Sequence, residues 1–147
     1  MRKVRDATVR ITLVAILILV VGIIIGAVGN RVLNAQPASV KSTVLLKHDI
    51  TGFEGKEGSI VEAITPPGAE SGWHHHPGEE FIYLAEGTGI YETKGQTSQA
   101  VKPCDILYND VGVVHRRKNT GTAPLRVIGF LVLEKGKPLA IPDLTPP

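Results

Sequence analysis

Short β-like runs of residues, broken by turns, make up most of the chain after residue 42. The runs cover residues 43–47, 59–65, 80–86, 89–94, 105–108, 113–118 and 125–134. Glycine and proline separate them, as in the Pro66-Pro67-Gly68 turn. Many short strands at even spacing with glycine and proline turns predict a sandwich or barrel. No amphipathic helix of convincing length is indicated between residues 39 and 134.

The N-terminal part has a different pattern. Residues 11–29, "ITLVAILILVVGIIIGAVG", contain no charge and are preceded by four basic residues and one acid. At 1.5 Å per residue such a helix can cross a bilayer, and it lacks the polar face of a helix packed on a soluble core. We therefore predict that residues 1–29 are a membrane anchor or a signal segment.

Whether this segment is cleaved stays open at this point. The apolar core is longer than in most signal peptides, which favours an uncleaved anchor, but "LNAQP" at residues 33–37 offers a cleavage position after Ala35. The basic N-terminus is expected to stay cytoplasmic. The remainder would then lie outside the cytoplasm, either anchored to the membrane or secreted or periplasmic.

The rest of the chain divides by composition into three parts. Residues 30–42 are predicted to be a linker and residues 43–135 a single β-domain. Residues 136–147 form a proline-rich tail, which we expect to be an extended arm on the surface.

The charge balance changes when the N-terminal segment is set aside. The chain has 16 basic and 14 acidic residues, but the first 35 residues hold five of the basic and one of the acidic ones. The remaining 11 basic and 13 acidic residues give no electrostatic footprint for nucleic acid, so no such partner is predicted. Cys104 is the single cysteine, which excludes an intramolecular disulfide.

Candidate metal ligands cluster in "GWHHHPGEEF", residues 72–81, which holds three of the five histidines. In an extended strand, His74 and His76 point to one side and His75 to the other. Two imidazoles on one face form half of a metal site. Glu80, after the Pro-Gly turn, and His115, on a later strand, can supply further ligands.

Read together, these residues resemble the two motifs of the cupin superfamily, in the style of its small quercetin-dioxygenase-like members. The first motif matches in every spacing, at Gly68, His74, His76, Glu80 and Gly87. The second matches at Gly112, His115 and Asn119, but Cys104 replaces its first glycine and Asp110 its proline. The resemblance covers residues 43–135, and neither departure falls on a ligand position.

The resemblance implies an all-β fold, a single cupin barrel or jelly roll, preceded here by one N-terminal hydrophobic helix. It implies a divalent transition metal (Fe, Mn, Zn, Ni or Cu) held by His74, His76, Glu80 and His115, with open positions for water, dioxygen or substrate. It also implies a homodimer, formed through strand exchange or sheet packing. Folding outside the cytoplasm would favour copper or zinc by affinity order.

Three functions fit this site. The leading hypothesis is a dioxygenase-like enzyme acting on a small oxygen-rich organic substrate, with Glu80 as a ligand alone or also as the group that takes a substrate proton. The second is a non-oxidative isomerase or lyase that uses the metal as a Lewis acid. The third is a tethered module that binds a metal or small molecule without turnover.

Several neighbouring side chains have both a functional and a structural interpretation. By alternation with His115, Arg117 would point inward and meet an anionic substrate, although a short basic run is more often a solvated face. Trp73 and three tyrosines (Tyr83, Tyr91 and Tyr108) could line the pocket or pack in the core. Cys104 is expected to be structural and His48 to lie on the surface.

Overall fold

A computed structural model describes residues 39–145, and these form only β-structure. The ten strands are β1 (Lys41–Asp49), β2 (Lys56–Thr65), β3 (His74–His75), β4 (Gly78–Glu86), β5 (Gly89–Thr93), β6 (Gln99–Val101), β7 (Ile106–Asn109), β8 (His115–Lys118), β9 (Leu125–Glu134) and β10 (Ile141–Pro142). The predicted hydrophobic helix lies outside the described residues. Within residues 39–145 there is no helix with the length and apolarity needed to span a membrane.

The strands form two antiparallel five-stranded sheets. One has the order β1-β2-β9-β4-β7 and the other the order β10-β3-β8-β5-β6. Strands that follow one another along the chain are often not neighbours in a sheet. For example, β2 and β4 both pair with β9 and not with each other. This arrangement is the predicted all-β jelly roll.

Strict alternation decides which side chains enter the space between the sheets. In β9, residues 125, 127, 129, 131 and 133 are buried, while Phe130 faces outward. The inward row of β4 contains Glu80, Ile82 and Leu84. Leu84 and Leu125 are almost fully buried, and such a leucine contributes about 1.5–3 kcal/mol. The same register therefore builds the core and carries Glu80 into the interior.

Three short strands were not predicted from the hydrophobic pattern. They are β3, β6 and β10, each of two or three residues. Runs of this length do not establish a period of two, so their pairing partners define them. β1 begins at Lys41, and it therefore includes the last two residues of the predicted linker.

The tail does more than extend over the surface. Its residues Ile141 and Pro142 pair with His75 and His74 in β3. Asp143 donates its backbone N–H to the Trp73 carbonyl at 2.9 Å. The tail thus belongs to the second sheet, beside the histidine cluster.

Candidate metal centre

Three imidazoles meet between the sheets. His74 lies in β3, His76 directly after it, and His115 begins β8, where it is paired with His74. Each can offer a nitrogen such that the three ligand atoms lie within 4.8 Å of one another. His115 is 1% exposed and His76 is 8% exposed, so these two rings are shielded from bulk water, whereas His74 is half-buried.

The backbone fixes how each imidazole is oriented. The Nδ1 atoms lie 3.0 Å from the Gly72 carbonyl for His74, 2.5 Å from the Leu139 carbonyl for His76, and 3.0 Å from the Val113 carbonyl for His115. A carbonyl can only accept, so each Nδ1 carries the proton. Each Nε2 of a neutral ring then presents a lone pair, the state that a metal requires.

Glu80 places a carboxylate among these lone pairs. Its Oε2 atom lies 3.4 Å from His76 Nε2 and 3.3 Å from His115 Nε2. Without a proton or a cation between them, these atoms are acceptors facing an acceptor. His76 Nε2 is buried and has no hydrogen-bond partner among the described residues. Three nitrogens and one carboxylate oxygen suit a first-row divalent ion, so the residues fit the implied metal.

Buried polar groups hold the Glu80 carboxylate in place. Asn109, directly opposite on β7, donates its Nδ2 proton to Glu80 Oε2 at 2.8 Å and lies 2.5 Å from the Tyr91 hydroxyl. The Tyr91 ring stacks on His115, with centroids 5.5 Å apart. Gly129 leaves room on the other side, because a Cβ there would lie 3.3 Å from Glu80 Oε1.

Burial and mutual contacts within the cluster shift the pKa values of His74, His76 and Glu80. Burial, followed by the proximity of His115, lowers the pKa of His74 to about 4, so this ring is neutral at neutral pH. For His76, burial lowers the pKa, but the Glu80 carboxylate outweighs it and the net pKa is raised. Burial alone would raise the pKa of Glu80, whereas contacts with His115 and His76 hold it well below its usual range.

A small cavity of about 130 Å³ opens beside the cluster. Its walls are mostly apolar, with polar groups from His74, His76, Glu80 and Arg117. A wider outer cavity of about 480 Å³ shares His74 and Arg117 with it and is bordered by Trp73. The two cavities are therefore neighbours, and the Arg117 side chain borders both.

The structure brings together all four residues that the sequence predicts as ligands, His74, His76, Glu80 and His115. Their coordination of a metal stays a prediction. Arg117 points inward, as the alternation with His115 allowed, and is 9% exposed.

Several contributors to the site were not found in the sequence. The roles of Asn109, Leu139 and Ala140 have no motif of their own, since they depend on strand register and on the path of the tail. Of the three tyrosines, Tyr91 is buried at the site, while Tyr83 and Tyr108 lie on the outer face of the first sheet. His48 is exposed, as expected, and Cys104 lies in a turn.

Comparison with known proteins agrees with this architecture. Residues 61–133 match the family model described as a cupin domain. A conserved Klebsiella pneumoniae protein with a double-stranded beta-helix domain superposes with a TM-score of 0.59 and 21% identity, covering 75% of this chain and 90% of its own. With the two motifs and the jelly roll, the match identifies this chain as a member of the cupin superfamily.

Two relatives align with parts of the chain. An oxalate-binding protein from Thermotoga maritima is 33% identical over 69 residues, which are 46% of this chain and 56% of that protein. An uncharacterized protein from Methanocaldococcus jannaschii is 31% identical over 77 residues, which are 52% of this chain and 61% of that protein. The aligned part therefore spans little more than half the length of these relatives.

Proposed function

We propose that this cupin binds a divalent transition metal through His74, His76, His115 and Glu80 and uses it on a small oxygen-rich molecule. The observation that carries the proposal is a cluster of three imidazoles whose ligand nitrogens lie within 4.8 Å of one another, with every Nδ1 held by a carbonyl. Two of the Nε2 atoms, those of His76 and His115, also lie within 3.4 Å of one carboxylate oxygen of Glu80. In a metal-free core with neutral imidazoles, this geometry would leave buried acceptors facing each other.

The leading candidate activity is a dioxygenase-like reaction. When bound, the metal would supply Lewis acidity that favours the deprotonated form of a substrate hydroxyl or enol. Glu80, held ionised by its neighbours and fixed by Asn109, is placed to ligate or to accept that proton. The apolar walls of the inner cavity would exclude water from the reacting groups.

Two further functions use the same site. A non-oxidative isomerase or lyase would need the same Lewis acid and the same base. A module that binds a small molecule without turnover has support from the Thermotoga maritima relative, which is named for binding oxalate. Turnover without oxygen would favour the first of these, and tight ligand binding without product would favour the second.

Metal analysis of the purified full chain tests the proposal. We expect close to one divalent ion per chain, and loss of the ion in His76→Ala. The matched control is His48→Ala, because His48 is exposed and remote from the cluster. A chain that holds no metal, or that holds it equally well without His76, would refute the site. Oxygen uptake and anaerobic turnover by the loaded chain then separate the enzymatic alternatives.

We also propose that the domain works outside the cytoplasm, held to the membrane by residues 1–29 or released by cleavage. The support is the uncharged run at residues 11–29 behind a basic N-terminus. Alkaline extraction of membranes, together with N-terminal sequencing of the mature chain, distinguishes the two forms. A soluble cytoplasmic chain with an intact N-terminus would contradict both.

A further inference from the structure

Arg117 carries a buried positive charge, and only some of the N–H groups of its guanidinium form hydrogen bonds. It projects inward from β8 and is 9% exposed. Its Nε atom donates to Thr65 Oγ1 at 3.1 Å, and its backbone N–H donates to Ser71 Oγ at 3.1 Å. The Thr65 contact orients the side chain but leaves the terminal nitrogens of the guanidinium free to donate further hydrogen bonds.

No carboxylate forms a direct ion pair with Arg117 among the described residues, although Glu80 acts on its charge from a longer distance. Among residues 39–145, the structure records no carboxylate within salt-bridge distance of Arg117, whereas its neighbour Arg116 pairs with Glu70 and Glu92. Burying an unpaired guanidinium is costly, and natural interiors pair such charges or direct them at a ligand. Because Arg117 borders both the inner and the outer cavity, a ligand in either can reach it.

The charge balance of the loaded site indicates the sign of that ligand. With a divalent ion present, the imidazoles are neutral and the single negative charge of Glu80 cancels that of Arg117. The cavity would then keep a charge of about +2 away from bulk water, which favours a dianion. The size also limits the ligand: a cavity of about 150 Å³ holds benzene, so one of about 130 Å³ accommodates about six non-hydrogen atoms.

We infer that Arg117 is an anion anchor, and that the site takes small dianions, such as short dicarboxylates, with one oxyanion on the metal and another on the Arg117 guanidinium. This rests on the proposed function and narrows its substrate class. Two parallel N–H···O bonds from the terminal nitrogens to one carboxylate would use the fork geometry that lysine lacks. Neutral phenols or amides of similar size would leave the guanidinium unpaired and would bind less well.

The test is calorimetric titration of the metal-loaded full chain with three probes: oxalate, its neutral isostere oxamide, and the monoanion acetate. Metal content is measured before and after each titration. We expect the wild type to bind oxalate at least tenfold more tightly than either other probe. Arg117→Gln should keep its metal and lose about 30-fold or more in oxalate affinity, as expected when one partner of a buried charge pair is removed. Arg117→Lys should recover only part of this loss.

The matched control is Arg116→Gln, which removes the same charge one residue away but from the face that pairs with Glu92 and stacks on Trp73. It should change oxalate affinity less than twofold. Equal affinity of wild type and Arg117→Gln, or an equal loss in Arg116→Gln, would overturn the assignment. If both Arg117 variants fail to fold, as judged by circular dichroism, the wild type alone decides, because equal affinity for oxalate and oxamide overturns the anchor.

Failure of the proposed function has a different signature. A wild-type chain that retains no metal would refute the metal site. If that metal-free chain still bound oxalate, and Arg117→Gln abolished the binding, the anchor would stand without the proposed function. A loaded chain that showed no preference for the dianion would refute only the anchor.

Discussion

At the scale of single residues, Cys104 occupies a backbone conformation that its side chain disfavours. Its φ is +72°, in the left-handed region, and it is the only described residue other than glycine with a positive φ. This conformation costs a residue with a Cβ about 1–2 kcal/mol, which glycine avoids at some cost in chain entropy. We expect Cys104→Gly to raise the free energy of unfolding by about 0.5–1 kcal/mol in urea titration.

The thiol itself needs a separate control, because Cys104 Sγ lies 3.6 Å from the Tyr83 hydroxyl. Cys104→Ala removes this contact and keeps the strained backbone, so it should not be more stable than the wild type. If alanine and glycine stabilised the protein equally, the backbone explanation would be wrong.

The space around Glu80 depends on Gly129. A Cβ at this position would approach Glu80 Oε1 to 3.3 Å, closer than most real contacts, and Glu80 is held by Asn109 and cannot easily yield. We expect Gly129→Ala to weaken metal binding about tenfold, measured by competition with a chelator. Gly58→Ala is the matched control, because its Cβ would approach Phe130 to the same 3.3 Å, and that exposed ring can move. Equal effects of the two would contradict a specific role for Gly129.

Metal binding should release a proton from His76. The Glu80 carboxylate raises the pKa of His76 above its ordinary value despite burial, so below that pKa the metal-free ring is protonated and a metal must displace the proton. His74, with a pKa of about 4, is already neutral there. Metal affinity should therefore fall as the pH drops through the raised pKa of His76, and calorimetry in buffers of different ionisation enthalpy should detect proton release. Affinity that is independent of pH between 5 and 7 would contradict this coupling.

At the scale of secondary-structure elements, the C-terminal tail contributes directly to the candidate metal site. The Leu139 carbonyl accepts from His76 Nδ1, β10 pairs with β3, and Lys94 binds Asp143 at 3.1 Å. Partners that orient a metal ligand commonly contribute 10–100-fold to metal affinity. Ending the chain after Lys137 should lower metal affinity by that factor and leave most of the fold intact.

Truncation also exposes apolar surface, so a second variant is needed. Lys94→Met loosens the end of the tail through Asp143 but does not touch His76 or the inner cavity. It should lower metal affinity in the same direction, by less. Unchanged affinity in the truncated chain would show that water can replace the Leu139 carbonyl.

The long strands could be predicted from sequence because each is a β-like run bounded by turn residues. In the structure, burial in β4 and β9 then alternates, so that every second residue lies in the core and Glu80 points inward. β3, β6 and β10 carry too few residues for any pattern. The tail looked like a surface arm because its prolines report extended backbone, whereas its partner in β3 is 60 residues or more away along the chain.

The candidate site also contains some residues that the sequence predicts and others that it does not. His74, His76, Glu80 and His115 were predicted because their spacing matches two motifs, and strand pairing does bring them together. Residues that support them, such as Asn109 opposite Glu80, follow from register between strands that the sequence does not specify. Motif spacing reports side chains on one strand, while the surroundings of a ligand come from distant parts of the chain.

At the scale of the whole molecule, the outer face of the first sheet is strongly apolar. Phe81 is paired with Tyr108 on one side and Phe130 on the other, with ring centroids 5.1 and 6.3 Å away. Each of the three is at least 42% exposed, and Tyr83 and Ile106 extend the patch. Contiguous exposed apolar surface of this kind is typical of interaction sites.

We propose that a second copy of the chain covers this outer face, as the cupin resemblance implies. The face of a twisted sheet can pack on the same face of a second copy about a two-fold axis. The aromatic row of one copy then contacts the aromatic row of the other. Phe81→Glu would then place two charges in the interface and convert the dimer to a monomer. Sedimentation of the full chain in detergent measures this directly. Phe53→Glu is the control, since Phe53 is 66% exposed in the turn between β1 and β2. If the unsubstituted chain sediments as a monomer, a second copy does not cover the aromatic face, and another partner would have to. If both substitutions have the same effect, the contact between copies lies elsewhere.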